Sequence, residues 1–332
     1  MVAKESNIEN IIIEEFQKIA ENPRRDKVDI EHSPEVERFS KMLFKDSKWY
    51  ILLNVIKTGL EKPIIVPSYD ITLSDIVEYV RILAERQYEC SLQYVSRLKS
   101  QISGVSSEMS RYILEKLREF LNNRILIPKP EVLKICRNDK CKEKRKDVRI
   151  EEDNGEENCE YCGSRLWKLF KCTVNEQVKK SIFNNQFLEI YIKECLKEAG
   201  LKLLYVKINK KRVSTSITYS PLPERPVEID VAGIRSTYMA ICECKTVKLT
   251  QNIVDQKLPK INTLIEYIQD VTQQRIKAYY FLITTELVDP NLRVVLNHYP
   301  KDFKWLVGIV PVERNELQNL KDIIKERFKG IN

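Results

Sequence analysis

Four cysteines in the middle of the chain restrict its folding more than any other feature. Cys136 and Cys141 are spaced C-x4-C, Cys159 and Cys162 are spaced C-x2-C, and 17 residues (142–158) separate the two pairs. Two short-spaced pairs at this separation fit a tetrahedral site in which four thiolates hold one Zn²⁺. Each pair would sit on a tight turn that brings two sulfurs to the same ion, and Gly163 directly after the second pair suits such a turn. Disulfides and an iron–sulfur cluster are the other uses of four thiols, and a cytosolic chain keeps its thiols reduced. Four protein ligands leave no open position for a water, so the expected role is structural. The metal would hold a small β unit that a segment of about 35 residues could not stabilise alone.

This segment resembles a zinc ribbon. Its flank is basic: residues 129–149 hold nine Lys or Arg, among them Lys140, Lys142, Lys144 and Arg145, which are candidate nucleic-acid contacts. The acidic run EEDNGEE at 151–157 follows at once, and mixed charge of this kind predicts a solvated loop. The net charge of +8 points in the same mild way toward a polyanionic partner. Only 8 glycines occur, with no glycine-rich phosphate loop, which argues against a P-loop nucleotide hydrolase. The two histidines, His32 and His298, are too few for a histidine metal site or a Ser-His-Asp triad.

Upstream, apolar spacing predicts helices over 5–21 (Ile8, Ile11, Ile12, Phe16, Ile19), after the Ser33-Pro34 cap, over 49–56, and over 70–86 with Thr72 as cap. Residues 91–128 read as helix, tight turn at Gly104, longer helix and short strand. That order resembles a winged-helix domain, in which the start of the second helix enters the major groove. The resemblance makes Ser106, Ser107, Ser110 and Arg111 candidate DNA contacts; a protein-interaction module and a helical packing unit with no DNA contact are the alternatives.

Downstream of residue 182 the pattern alternates between helix and strand. Residues 182–200 predict a helix ended by Gly200, and PVEIDVAG and YMAICECK predict strands. A helix with a break at Pro259, two buried strands and a final helix follow. Period-2 alternation puts Glu228 and Asp230 on one face of the first strand. It puts Glu243 and Lys245 on one face of the second, with Cys242 and Cys244 on the other as core filler. If the polar faces coincide, carboxylates converge beside a lysine, an arrangement suited to Mg²⁺ or Mn²⁺.

Asp230, a 12-residue gap, then Glu243-Cys244-Lys245 resembles the D…E-x-K signature of the PD-(D/E)XK (restriction-endonuclease-like) nuclease superfamily. The preceding helix carries Glu189 where that family often has a helix carboxylate. The resemblance covers roughly residues 175–312. It implies metal-dependent phosphodiester hydrolysis with Asp230, Glu243 and the Cys244 carbonyl on the metal, Lys245 assisting the nucleophile, and Glu189 in metal binding or water positioning. Gln251 or Gln256 is a candidate polar helper on the next helix. The family's usual Pro-Asp is Ile229-Asp230 here, and Glu228 is an extra carboxylate.

The expected architecture is therefore multidomain. N-terminal helices (1–46) and a winged-helix-like domain (47–133) are followed by a zinc ribbon (134–170) and an α/β restriction-endonuclease-like domain with a mixed central sheet (171–332). The expected activity is a Mg²⁺-dependent endonuclease acting on DNA ahead of RNA; a non-catalytic nucleic-acid-binding scaffold and an RNase of the same fold are the alternatives. No apolar run approaches the ~20 residues of a membrane span, and the N-terminus lacks a signal-peptide pattern. A cytoplasmic location with no membrane partner is expected, and a homodimer is one expected assembly.

Overall fold

The computed structural model describes residues 2–21, 25–68, 75, 78, 89–144, 146–207, 213–214, 217–220, 226–299 and 303–331. It divides into two compact units, Met1–Ser47 with Lys180–Asn332, and Lys48–Lys179. The four-segment division expected from sequence is thus corrected: residues 1–46 join the C-terminal unit, and the segments 47–133 and 134–170 share one sheet. The helix expected over 70–86, with its Thr72 cap, lies outside the described residues apart from Asp75 and Glu78.

The first unit begins with helices α1 (Val2–Lys18), α2 (Arg25–Glu31) and α3 (Pro34–Phe44). Ser33 caps α3 as its sequence suggests, its hydroxyl accepting from the Val36 N–H at 3.4 Å. On α1 the buried stripe is Ile12, Ile13 and Phe16, with Ile11 exposed.

The second unit contains α4 (Trp49–Thr58), α5 (Glu89–Gln101), α6 (Ser107–Asn122) and the short α7 (Asp139–Glu143). Its sheet has the order β1-β4-β2-β3, from β1 (Ile64–Pro67), β2 (Leu126–Cys136), β3 (Val148–Glu152) and β4 (Leu166–Val174), all antiparallel. Gly104, in the α5–α6 turn, has φ +79°, a conformation open to glycine at no steric cost. Gln101 ends α5 by pairing its side-chain amide with the backbone of Ile65, accepting at 2.6 Å and donating at 3.0 Å, which satisfies part of the open edge of β1.

The acidic run is exposed over 152–157, as expected for a solvated loop, and some of its side chains also pair with buried lysines. Lys134 and Lys168 are register partners on β2 and β4, and both side chains are almost completely buried. Lys134 Nζ lies 2.7 Å from Asn154 Oδ1 and 2.7 Å from Glu151 Oε1, and Lys168 Nζ lies 2.9 Å from Asp153 Oδ1. Two buried ammonium groups need such partners, because an unpaired buried charge is costly.

The chain re-enters the first unit through α8 (Glu176–Phe183) and α9 (Gln186–Glu198). The single helix expected from 182 breaks at Asn185, whose φ is +62°. Strands β5 (Lys202–Leu203), β6 (Val206–Lys207), β7 (Val213–Ser214), β8 (Ile217–Tyr219), β9 (Val227–Ile229), β10 (Val231–Arg235), β11 (Tyr238–Lys245), β12 (Lys277–Thr284) and β13 (Leu306–Val312) follow. The main sheet has the order β13-β12-β11-β10-β5 and is mixed: β11, β12 and β13 run parallel, while β10 is antiparallel to both neighbours. Helix α10 (Gln251–Thr272) covers one face and stays continuous through Pro259. Helices α11 (Pro290–Leu296) and α12 (Leu320–Arg327) complete the unit.

The core explains why the N-terminal helices belong here. Ile12, Ile13 and Phe16 of α1 share a cluster with Val254, Leu258 and Ile261 of α10 and with Ile241, Tyr280 and Leu282 of the sheet. Phe16 meets Tyr219 edge-on at 5.2 Å. Helix α3 packs on α9, where Phe44 stacks on Tyr191 at 4.3 Å and the Ser40 hydroxyl donates to the Phe187 carbonyl at 2.9 Å. Aromatic pairs of this kind add about 0.5–1.5 kcal/mol each beyond their buried area.

Candidate functional site

The four cysteines come together as their spacing predicts. Cys136 ends β2, Cys141 lies on α7, and Cys159 and Cys162 flank a tight turn. Gly163, at φ +71°, lets its N–H donate to the Cys159 carbonyl at 2.8 Å, and the Cys159 N–H donates to the Ser164 carbonyl at 2.8 Å. All four Sγ atoms lie within 4.8 Å of one another, with Cys136–Cys162 at 3.4 Å and Cys141–Cys159 at 3.8 Å. A tetrahedral ion with ~2.3 Å Zn–S bonds requires S–S separations of about 3.8 Å. The group can therefore hold a metal such as zinc. The Ser164 hydroxyl and backbone N–H bring the Cys162 thiol down to about 6, whereas burial pushes Cys141 up to about 11. A bound cation would deprotonate the whole set.

The second candidate site is built at a strand break. The run PVEIDVAG forms two strands rather than one: β9 pairs with β8, and β10 pairs with β11 in the main sheet. Asp230 sits at the bend between them. This corrects the alternation expected for Glu228 and Asp230: Glu228 is exposed, and Asp230 is buried. The β10–β11 ladder ends at Val231↔Cys242, which would leave the next inward N–H of β11 without a strand partner. Asp230 fills that position, its Oδ2 accepting from the Cys244 N–H at 2.7 Å. Lys245, meanwhile, uses its carbonyl on the other side of the strand, accepting from the Thr285 N–H at 3.2 Å. Because N–H and C=O of one strand residue point the same way, the Cys244 carbonyl also faces the Asp230 side.

Glu243 is 1% exposed on the face of β11 that α10 covers. Its Oε1 lies 2.6 Å from Lys245 Nζ and its Oε2 lies 3.2 Å from Lys257 Nζ. Lys257 was not singled out from the sequence. It flanks the buried Val254–Leu258 stripe of α10, and its Nζ also donates to the Glu228 carbonyl at 3.2 Å. The glutamines considered instead point elsewhere: Gln251 donates to the Tyr299 hydroxyl and Gln256 to Asn252, both on exposed parts of the helix.

The electrostatics follow from burial. Desolvation and then the charge of Glu243 push Asp230 up to about 7, against the opposing pull of the Cys244 N–H and the two lysines. Burial acts to lower the Lys245 ammonium, but Glu243 and Asp230 outweigh it and hold the pKa above its ordinary value. Lys245 is thus a fixed positive charge. Burial drives the thiols of Cys242 and Cys244 well above their usual range, so both are protonated core residues, distinct from the four-cysteine set.

Glu189 is buried on the first turn of α9, and its charge is felt at Cys244. Among the described residues, however, the convergent group of three or more metal-ligating side chains is the four cysteines, and Glu189, Asp230 and Glu243 do not close to that spacing. Asp230, Glu243 and the Cys244 carbonyl are hard oxygen donors facing one neighbourhood, and two lysines supply there the positive charge that buried carboxylates require.

Of the candidate nucleic-acid contacts, Ser106, Ser107 and Arg111 are exposed at the start of α6. Ser110 is buried and its hydroxyl donates to the Ser106 carbonyl at 3.0 Å, so this expectation is corrected: its side chain is part of the helix start. Ser106 is the α6 cap, its hydroxyl accepting from the Met109 N–H. Lys140 and Lys144 are exposed, Lys142 pairs with Asp139 at 3.1 Å, and Arg145 lies outside the described residues. Sequence reading missed Tyr161, exposed between Cys159 and Cys162 with Lys146 Nζ 4.1 Å from its ring centre.

No family model matches the chain, and no curated protein matches it. Among solved structures it is similar to protein VC1899 from Vibrio cholerae, at 15% identity over 90% of this chain and 57% of that one, with a TM-score of 0.38. The chain thus spans little more than half the length of that protein. Among the described residues no helix is long and apolar enough to cross a membrane.

Proposed function

We propose that this chain is a divalent-metal-dependent nuclease of the PD-(D/E)XK type, acting on DNA ahead of RNA. The observation that carries the reading is the hydrogen bond from the Cys244 N–H to Asp230, which sets a buried aspartate beside Glu243 and Lys245 at the end of a sheet strand. On this reading Asp230, Glu243 and the Cys244 carbonyl would hold Mg²⁺ or Mn²⁺. The ion would supply charge stabilisation for a phosphoryl transition state and a more acidic bound water. Lys245, held cationic by its carboxylate neighbours, stabilises negative charge on the attacked phosphate or orients the nucleophilic water, and does not act as a base. Glu189, one helix away, has a water-positioning rather than a ligand role. In the other unit, α5, α6 and β2 act as a winged-helix-like element and the cysteine segment as a zinc ribbon, and both supply substrate contacts.

A second reading has its own support. Both oxygens of Glu243 already touch lysines, which is how a non-catalytic relative of the same fold would neutralise that carboxylate. The test is a cleavage panel over duplex, single-stranded and junction DNA and RNA, with Mg²⁺, with Mn²⁺ and with neither. Asp230→Ala and Glu243→Ala are expected to abolish metal-dependent cleavage while leaving nucleic-acid binding intact. Cleavage undiminished in both variants refutes the assignment, and binding with no cleavage of any substrate favours the second reading.

A further inference from the structure

Tyr280 lies on β12, directly beside Ile241 in the parallel ladder with β11, where Glu243 pairs with Leu282. Register partners share a face, so Tyr280 lies on the Glu243 face, one residue pair back along the strands. Its side chain is fully buried in the cluster under α10. Its hydroxyl is also buried and has no hydrogen-bond partner among the described residues. A buried phenol normally finds one, because an unmet donor carries a penalty that a phenylalanine would avoid. The charges that bear most strongly on Tyr280 are those of Glu243 and Asp230. Of these two carboxylates Glu243 shares the sheet face of Tyr280, which makes it the candidate acceptor for this donor.

Glu243 is turned to Lys245 and Lys257. A cation beside Asp230 would take over the neutralising role of those lysines and leave one carboxylate oxygen for a neutral donor. Carboxylates that bind metals are themselves hydrogen-bonded, and removing such a partner typically weakens metal affinity 10–100-fold. We propose that Tyr280 is a positioning residue of the cation site, its hydroxyl donating to the Glu243 carboxylate when a divalent metal is bound. The inference rests on the metal-binding reading of Asp230 and Glu243 given above.

The experiment is a Mn²⁺ titration of the full-length, zinc-loaded protein, following free Mn²⁺ by electron paramagnetic resonance, with melting curves of the metal-free samples. Wild type, Tyr280→Phe and Asp230→Asn are compared, and the site is defined as the Mn²⁺ binding that Asp230→Asn removes. Tyr280→Phe is expected to raise the dissociation constant of that site about tenfold, with a metal-free melting temperature no lower than wild type. Equal Mn²⁺ affinity in wild type and Tyr280→Phe, with binding still lost in Asp230→Asn, overturns the role of Tyr280 and leaves the metal-binding reading standing. A lower metal-free melting temperature in Tyr280→Phe also overturns it, since the hydroxyl would then already have a partner. Absence of any Asp230-dependent Mn²⁺ binding in wild type overturns both.

Discussion

Asp230→Asn should stabilise the protein in the absence of added divalent metal, and the gain should depend on pH in a defined direction. Burial and Glu243 raise the Asp230 carboxyl from an ordinary value near 3.9 to about 7. Between those values the folded state holds a proton that the unfolded chain has released, so wild-type stability falls as pH rises from about 4 to about 7. A shift of roughly 3 units corresponds to about 4 kcal/mol at 1.36 kcal/mol per unit, the full amount being felt above pH 7. Asparagine removes the charge and keeps an oxygen for the Cys244 N–H. Its amide N–H₂ needs an acceptor, at a cost of about 1–3 kcal/mol if none is found. The net gain at pH 8 is therefore about 1–3 kcal/mol, turning into a small loss near pH 4, where both side chains are neutral. The assay is urea unfolding from pH 4 to 8 in magnesium- and manganese-free buffer, with hydrogen exchange of the β11 amides locating the change in the first unit. A difference between variant and wild type that is constant across this range, or that shrinks as pH rises, refutes the account of a buried, charge-strained aspartate.

Three further outcomes are expected. Purified protein should carry one tightly bound zinc per chain by elemental analysis, and Cys141→Ser or Cys159→Ser should lose it and unfold the second unit at lower denaturant concentration. Lys257→Gln should destabilise the metal-free protein by about 1–2 kcal/mol, below the ~3–5 kcal/mol of a broken buried pair, because Lys245 still compensates Glu243; thermal melting checks this. Lys134→Met should keep the fold within about 1 kcal/mol, since the partly exposed carboxylates it releases can rehydrate, yet the amides of residues 153–157 should exchange much faster.

The parts of the chain that could be read in advance are those governed by local spacing. The cysteine pairs, the Ser33 cap, the α5–turn–α6 order and the burial of Cys242 and Cys244 each depend on a few neighbouring residues. What was misread depends on distant partners. Asp230 looked like one more residue of a continuous strand, because nothing in PVEIDVAG reveals that its first half pairs with β8 and its second half with β11. Lys257 was invisible for a similar reason: it lies beside the buried stripe of α10, and its reach to Glu243 is set by the helix's placement on the sheet. The acidic run at 151–157 is the exposed loop its charge suggests, but its pairing with Lys134 and Lys168, buried on other strands, cannot be read from the run itself. The N-terminal helices looked independent because their partners lie about 150 residues downstream for α3 and more than two hundred for α1.

The position of Cys136 has a consequence for the order of assembly. It is the last residue of β2, paired with Leu166 at the start of β4, thirty positions away. The pairing of β1 with β4 spans more than a hundred positions, from Ile64 to Cys172. Closing the shorter span costs less entropy, and capture of one ion by four sulfurs would close it early. Metal uptake would then act as the nucleating event for the β2–β4 pairing, and β1 could dock only on a template already in register. A chain synthesised in zinc-poor conditions would, on this account, stall with β2 paired to β3 alone and its β4 side open, and its defect would appear first as slow folding and proteolysis of nascent protein.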